Sequence, residues 1–201
     1  MSDQLTLLDE EYSPELSQWY SRPALAEKVV KWALKGVMKP IRILEPSAGT
    51  GALIRPVPVK HHITAIEIDP RRCEQLREIS HLDEVRCYDY LQRWTDERWD
   101  LAIMNSPYED DQDVLHAIKA ATSDADRVVA VMKLPTLQGI NKWALWMKVE
   151  VTRIAICVAR QPFDGPKKDS PRDGTMIVEL VAREHLGQLD TPYPTQLEWW
   201  G

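Results

Sequence analysis

The feature that most constrains the fold is a short run, Ile41 to Leu44, that ends directly in Glu45-Pro46-Ser47-Ala48-Gly49-Thr50-Gly51. A strand that breaks into a glycine-bearing loop opens a βα unit, because glycine lets the backbone turn sharply and approach a ligand closely. The rest of the chain repeats the alternation. Strands are predicted over Ile63–Ile68, Glu84–Tyr88, Leu101–Met104, Arg127–Met132, Thr152–Ala159 and, as the last, Met176–Ala182. Helices are predicted over Pro23–Lys35, Pro70–Ile79, Asp111–Ala121 and Ile140–Met147. The first helix carries an amphipathic stripe of Leu25, Val29, Val30, Trp32, Ala33 and Leu34, with Ser21 placed to cap it. Asp164–Gly174, rich in Pro, Gly and charge, reads as a loop. Strands alternating with helices imply an α/β fold: one Rossmann-like domain with a mostly parallel central sheet flanked by helices. Residues 1–19 carry five acids and no base and read as an acidic arm; residues 20–201 form the domain.

Length and composition narrow the class. A chain of 201 residues that is 44% hydrophobic and 28% charged fits one ordinary soluble domain. No apolar run is long enough for a transmembrane helix, and the acidic N-terminus does not read as a signal peptide. Cys73, Cys87 and Cys157 lie far apart, so neither a disulfide framework nor a metal site is expected, and the expected setting is a reducing cytoplasm. Cys73 and Cys157 read as small core residues, and His61 and His62 as surface. The net charge of -6 argues against a protein that grips a polyanion with its whole surface. Residues 127–172 nevertheless hold nine basic side chains against three acidic ones, which permits a local contact or a solvated basic face.

The loop lacks GxGxxG and the GK[ST] of a phosphate-binding loop, which disfavours dinucleotides and triphosphates. The second predicted strand carries Glu67 and Ile68 at its end, where a carboxylate can accept both ribose hydroxyls of a nucleoside. The third leads into Asp89 and Tyr90, where the acid can accept from an adenine amino group. The fourth enters Asn105-Ser106-Pro107-Tyr108.

These pieces, in this order, resemble the class I S-adenosylmethionine-dependent methyltransferases, and more narrowly those that methylate adenine N6 in DNA. Tyr20-Ser21-Arg22-Pro23 loosely matches that family's N-terminal cofactor segment. Lys133–Gly139 through Arg160-Gln161-Pro162-Phe163 resembles its small phage and mobile-element members. The resemblance makes residues 20–201 a methyltransferase catalytic domain. It implies a cofactor site of Tyr20, Ser21, Glu45, Pro46, Ser47, Ala48, Gly49, Gly51, Glu67, Ile68, Asp89, Tyr90 and Asn105. It implies that Asn105 Oδ1 and the Ser106 carbonyl accept the two N–H groups of the acceptor amine, so that positioning rather than a general base supplies the catalysis. Pro107 completes the motif; Tyr108 stacks on the extruded base, and Phe163 either adds a second stacking face or fills the core. Ser106 departs from the family's usual Pro and is also similar to the loop of N4-cytosine methyltransferases.

Lys167, Lys168 and Arg172 are the expected contacts to DNA phosphates. No target-recognition module is visible, so the expectation is low sequence specificity, or specificity borrowed from a partner or a second subunit. Trp199 and Trp200 either pack back on the domain or form an intersubunit contact. Similar loops also serve methyltransferases of RNA bases and of protein glutamine, and an inactive cofactor-binding module is the remaining alternative.

Overall fold

A computed structural model describes residues 20–108, 111–138, 140–159, 163–164, 174–186 and 195–200. In chain order its elements are β1 (Tyr20–Ser21), α1 (Pro23–Ala33), β2 (Arg42–Glu45), β3 (His62–Glu67), α2 (Pro70–Arg77), β4 (Glu84–Cys87) and β5 (Leu101–Met104). There follow α3 (Gln112–Lys119), β6 (Val128–Lys133), α4 (Ile140–Trp146), β7 (Val149–Cys157), β8 (Phe163–Asp164), β9 (Thr175–Ala182) and β10 (Gln196–Trp200). Eight strands form one sheet in the order β4-β3-β2-β5-β6-β9-β7-β10. Strand β9 is antiparallel to both neighbours and the other pairings are parallel, so the expected mostly parallel sheet is observed.

Alternation within the strands builds a core on each face. On β2, Ile43 joins Leu25, Val29 and Val30 of α1 and Leu76 of α2, while its neighbour Leu44 joins Ile66, Trp99, Val114 and Met104 on the other side. From β2 the chain steps outward through β3 to β4, then returns to lay β5 on the opposite flank of β2. Loops leaving the carboxyl ends of β2 and β5 therefore border the point where the strand order reverses, the position where sheets of this kind bind ligands.

Several expectations need correction. Ser21 does not cap α1: Arg22 holds the cap position with no side-chain bond that caps the helix, and Ser21 instead forms β1, paired with Phe163 of β8. Cys73 and Cys87 form a disulfide between α2 and the end of β4, with Cα atoms 6.0 Å apart. Fourteen residues of sequence separate them, so their spacing hid a contact made by packing α2 onto the sheet. Cys157 is a buried free thiol, as expected. His61 is buried, its Nδ1 accepting from the Ile41 N–H, and only His62 is exposed. Strand β9 is not the last: β10 extends the sheet beside β7. Trp200 packs edge-on against Trp32 of α1, with ring centres 6.0 Å apart, whereas Trp199 is exposed on that edge strand. Helix α3 continues into one π-helical turn, Ala120–Asp124. Among the described residues no helix is long and apolar enough to cross a membrane. The acidic arm, residues 1–19, lies outside the described residues.

Candidate active site

The β2 loop is shaped by two residues with left-handed backbone, Gly49 (φ 54°) and Gly51 (φ 76°). Such angles strain any residue carrying a Cβ. A Cβ on Gly51 would also stand 2.5 Å from Ile79 Cδ1, so the loop lies directly on the segment that follows α2. The Ala48 N–H donates to the Ile66 carbonyl at 2.9 Å and pins the loop to β3.

Glu67, at the end of β3, is buried beneath this loop. Its Oε2 accepts from the Gly49 N–H at 2.6 Å, and Oε1 accepts from the Ile68 and Asp69 N–H groups at 2.9 Å each. Three of its roughly four acceptor positions are thus engaged. Burial still pushes its carboxyl above the ordinary range, against those hydrogen bonds. Glu45, at the end of β2, is more extreme. It is buried, its Oε1 has no hydrogen-bond partner among the described residues, and burial pushes its pKa well up, with a backbone bond at Ser47 opposing and the Glu67 charge adding to the rise. Two carboxyls short of compensation in one crevice match a ligand that brings positive charge and hydrogen-bond donors. Glu45 was read from the sequence only as part of the loop; its isolation follows from burial that no local pattern reveals.

Farther along the same sheet edge, Asp89 accepts from the Leu91 N–H at 2.9 Å and caps the turn Tyr90–Gln92. Ile68 is exposed beside it. The Tyr90 side chain turns away into the core, donating to Asp124 at 2.5 Å, with Lys119 Nζ 2.7 Å from the same carboxylate oxygen. Only the Tyr90 backbone remains available to the crevice.

Across the crevice, at the end of β5, the Asn105 carboxamide is held at both ends. Its Nδ2 donates to Ser21 Oγ at 3.1 Å, and its Oδ1 accepts from the Tyr108 hydroxyl at 2.5 Å. Ser106 is buried, its hydroxyl 3.2 Å from that of Ser47, so the β2 and β5 loops touch directly. Lys133 Nζ lies 5.0 Å from the centre of the Tyr108 ring. Burial, with the nearby Asp113 carboxyl and Cys157 thiol, pushes the Tyr108 phenol well above its ordinary value, so it stays a donor. Asp113 is itself buried and accepts from the Thr136 hydroxyl at 3.1 Å. Lys133 reaches Tyr108 from β6, 25 positions along the chain, whereas Asp113, five positions away on α3, is turned toward it by the fold and not by any local pattern. Tyr20 and Phe163 lie in the β1–β8 pairing, with Ser21 opposite Phe163 in register. Lys167, Lys168 and Arg172 lie outside the described residues.

A solved structure with this architecture is an assigned class I S-adenosylmethionine-dependent methyltransferase from Listeria monocytogenes, which superposes with a TM-score of 0.69 at 12% identity over 98% of this chain and 70% of that one. The fold is that of the class I methyltransferases. An assigned RNA methyltransferase from Pyrococcus horikoshii also shares the methyltransferase fold, with a TM-score of 0.69 at 19% identity over 90% of this chain and 99% of that one. In sequence, the chain is 42% identical over 76 residues to the type II methyltransferase M.CvrRI of Paramecium bursaria Chlorella virus XZ-6E. That match spans 36% of this chain and 20% of the viral methyltransferase. No protein-family model matches the chain.

Proposed function

We propose that this chain transfers the methyl group of S-adenosylmethionine to the exocyclic N6 amine of adenine in DNA. The observation that carries the reading is the Asn105 carboxamide, fixed at the end of β5 directly across from the β2 loop. S-adenosylmethionine, when bound, supplies an electrophilic methyl on a sulfonium. The residues of the crevice fit it. The Glu45 oxygen that lacks a partner among the described residues suits the methionyl ammonium, the acceptor position left on Glu67 suits a ribose hydroxyl, and the Pro46–Gly51 loop lets the backbone come close. Ile68, Asp89 and the Tyr90 backbone suit the adenine ring of the cofactor, and Tyr20 precedes Ser21, the partner of Asn105, on β1.

On the acceptor side, Asn105 Oδ1 and the Ser106 carbonyl accept the two N6–H groups and turn the amine lone pair toward the donor loop. Pro107 fixes the turn, Tyr108 and Phe163 stack on the base, and Lys167, Lys168 and Arg172 meet phosphates. The partial match to a viral type II methyltransferase supports DNA over RNA as the acceptor.

Nucleoside mass spectrometry on DNA from cells expressing the protein tests the reading. N6-methyladenine is expected with the natural chain and absent with Asn105→Ala, which leaves cofactor affinity nearly intact. Glu67→Ala, in contrast, weakens cofactor binding about tenfold or more through its lost charge-assisted bonds. N4-methylcytosine, or a product only in RNA, overturns the acceptor assignment.

A further inference from the structure

A carboxamide placed to accept an amine works in one of its two orientations. Turned over, Asn105 would present Nδ2, a donor, to an N–H group that is also a donor. In this structure two hydroxyls of unlike chemistry flank the carboxamide. A phenol oxygen, its lone pair drawn into the ring, is the poorer acceptor and serves better as a donor; an alkyl hydroxyl oxygen is the better acceptor. The phenol of Tyr108 faces Oδ1 at 2.5 Å, and the alkyl hydroxyl of Ser21 faces Nδ2 at 3.1 Å. Ser21 is buried, and its backbone is held opposite Phe163 in the two-stranded β1–β8 pairing, so its hydroxyl is fixed by an element separate from the β5 loop.

We infer that Ser21 is a positioning residue: it holds the Asn105 carboxamide with Oδ1 turned to the acceptor, in concert with the Tyr108 hydroxyl. This rests on the proposed acceptor role of Asn105. It moves Ser21 from the cofactor to the acceptor half of the site. The hydroxyl of Tyr108 thereby acquires a task besides the stacking done by its ring.

The full-length chain is assayed with S-adenosylmethionine and DNA as the natural protein and as Ser21→Ala, Ser21→Thr and Tyr108→Phe. Ser21→Ala is expected to lower kcat about tenfold, with the Kd for S-adenosylmethionine unchanged, and Ser21→Thr to restore most of it. Tyr108→Phe keeps the ring and is expected to lower kcat in the same direction. The double variant then loses less than the product of the two single losses, since both act on one carboxamide. A Ser21→Ala protein with unchanged kcat, or one whose loss lies in cofactor Kd, overturns the inference. A readout independent of turnover separates this from the reaction assignment. The Asn105 side-chain NH2 pair in a 1H–15N spectrum of the ligand-free protein should shift on Ser21→Ala and return with Ser21→Thr. That shift without methylation by any protein leaves the clamp standing and removes the reaction; methylation without the shift removes the clamp.

Discussion

Glu45 and Glu67 hold their protons more tightly in the folded chain than in the unfolded one, because burial disfavours the charged form of each. A group of this kind contributes stability that is complete below its unfolded value, near 4.5 for glutamate, and is lost as the pH climbs through the folded value. The ligand-free protein should therefore melt at a lower temperature at pH 8 than at pH 5, an interval that opens just above the unfolded value. Glu45→Gln should raise the melting temperature at pH 8 and narrow that difference while weakening S-adenosylmethionine binding; scanning calorimetry and a binding titration read both. An undiminished pH dependence in Glu45→Gln would assign the effect elsewhere. Much of this chemistry is legible in the sequence, since Glu67, Asp89 and Asn105 each follow a recognisable strand. Ser21 is legible only as a residue, not as a partner, because its bond to Asn105 spans 84 positions.

Among the elements, strands were the most readable, since short apolar runs bounded by turn residues leave few other folds open. Leu101–Met104 is reproduced residue for residue, and most other strand ends move by one or two positions. What stayed hidden depends on partners: β1 and β8 are two residues each and exist only as a pair, and β10 becomes a strand by lying along β7. Gly51 shows how an element's neighbour dictates a loop residue. Gly51→Ala forces a side chain onto a left-handed backbone and into Ile79 Cδ1. Because that contact is the mobile end of a side chain, the cost should be about 1–3 kcal/mol in urea unfolding, and shortening the neighbour with Ile79→Val should recover part of it. A neutral Gly51→Ala would mean that the loop does not rest on Ile79.

For the molecule as a whole, charge counted along the sequence overstates the basic surface. Arg127 and Arg153, two of the nine cations in residues 127–172, turn inward to share the buried Glu179 carboxylate of β9 at 3.1 and 3.3 Å. Lys142 is paired with Asp111 at 2.6 Å. Glu179→Ala removes the carboxylate the two guanidiniums share, while Arg153 keeps Glu198 at 3.5 Å and Arg127 keeps the Ala33 carbonyl at 2.8 Å; it should cost about 1–3 kcal/mol in denaturant unfolding, and a loss under 1 kcal/mol would reassign them as solvated. The strand carrying Glu179 has a further consequence. Because β9 is wedged between β6 and β7 yet follows both in the chain, a ribosome releases β7 before it has its inner neighbour. At ordinary elongation rates the nascent strand waits about 1–4 s with its amide edge and apolar residues unprotected. Birth of the protein thus includes an interval in which chaperone capture competes with closure of the sheet, an exposure that the finished molecule no longer displays.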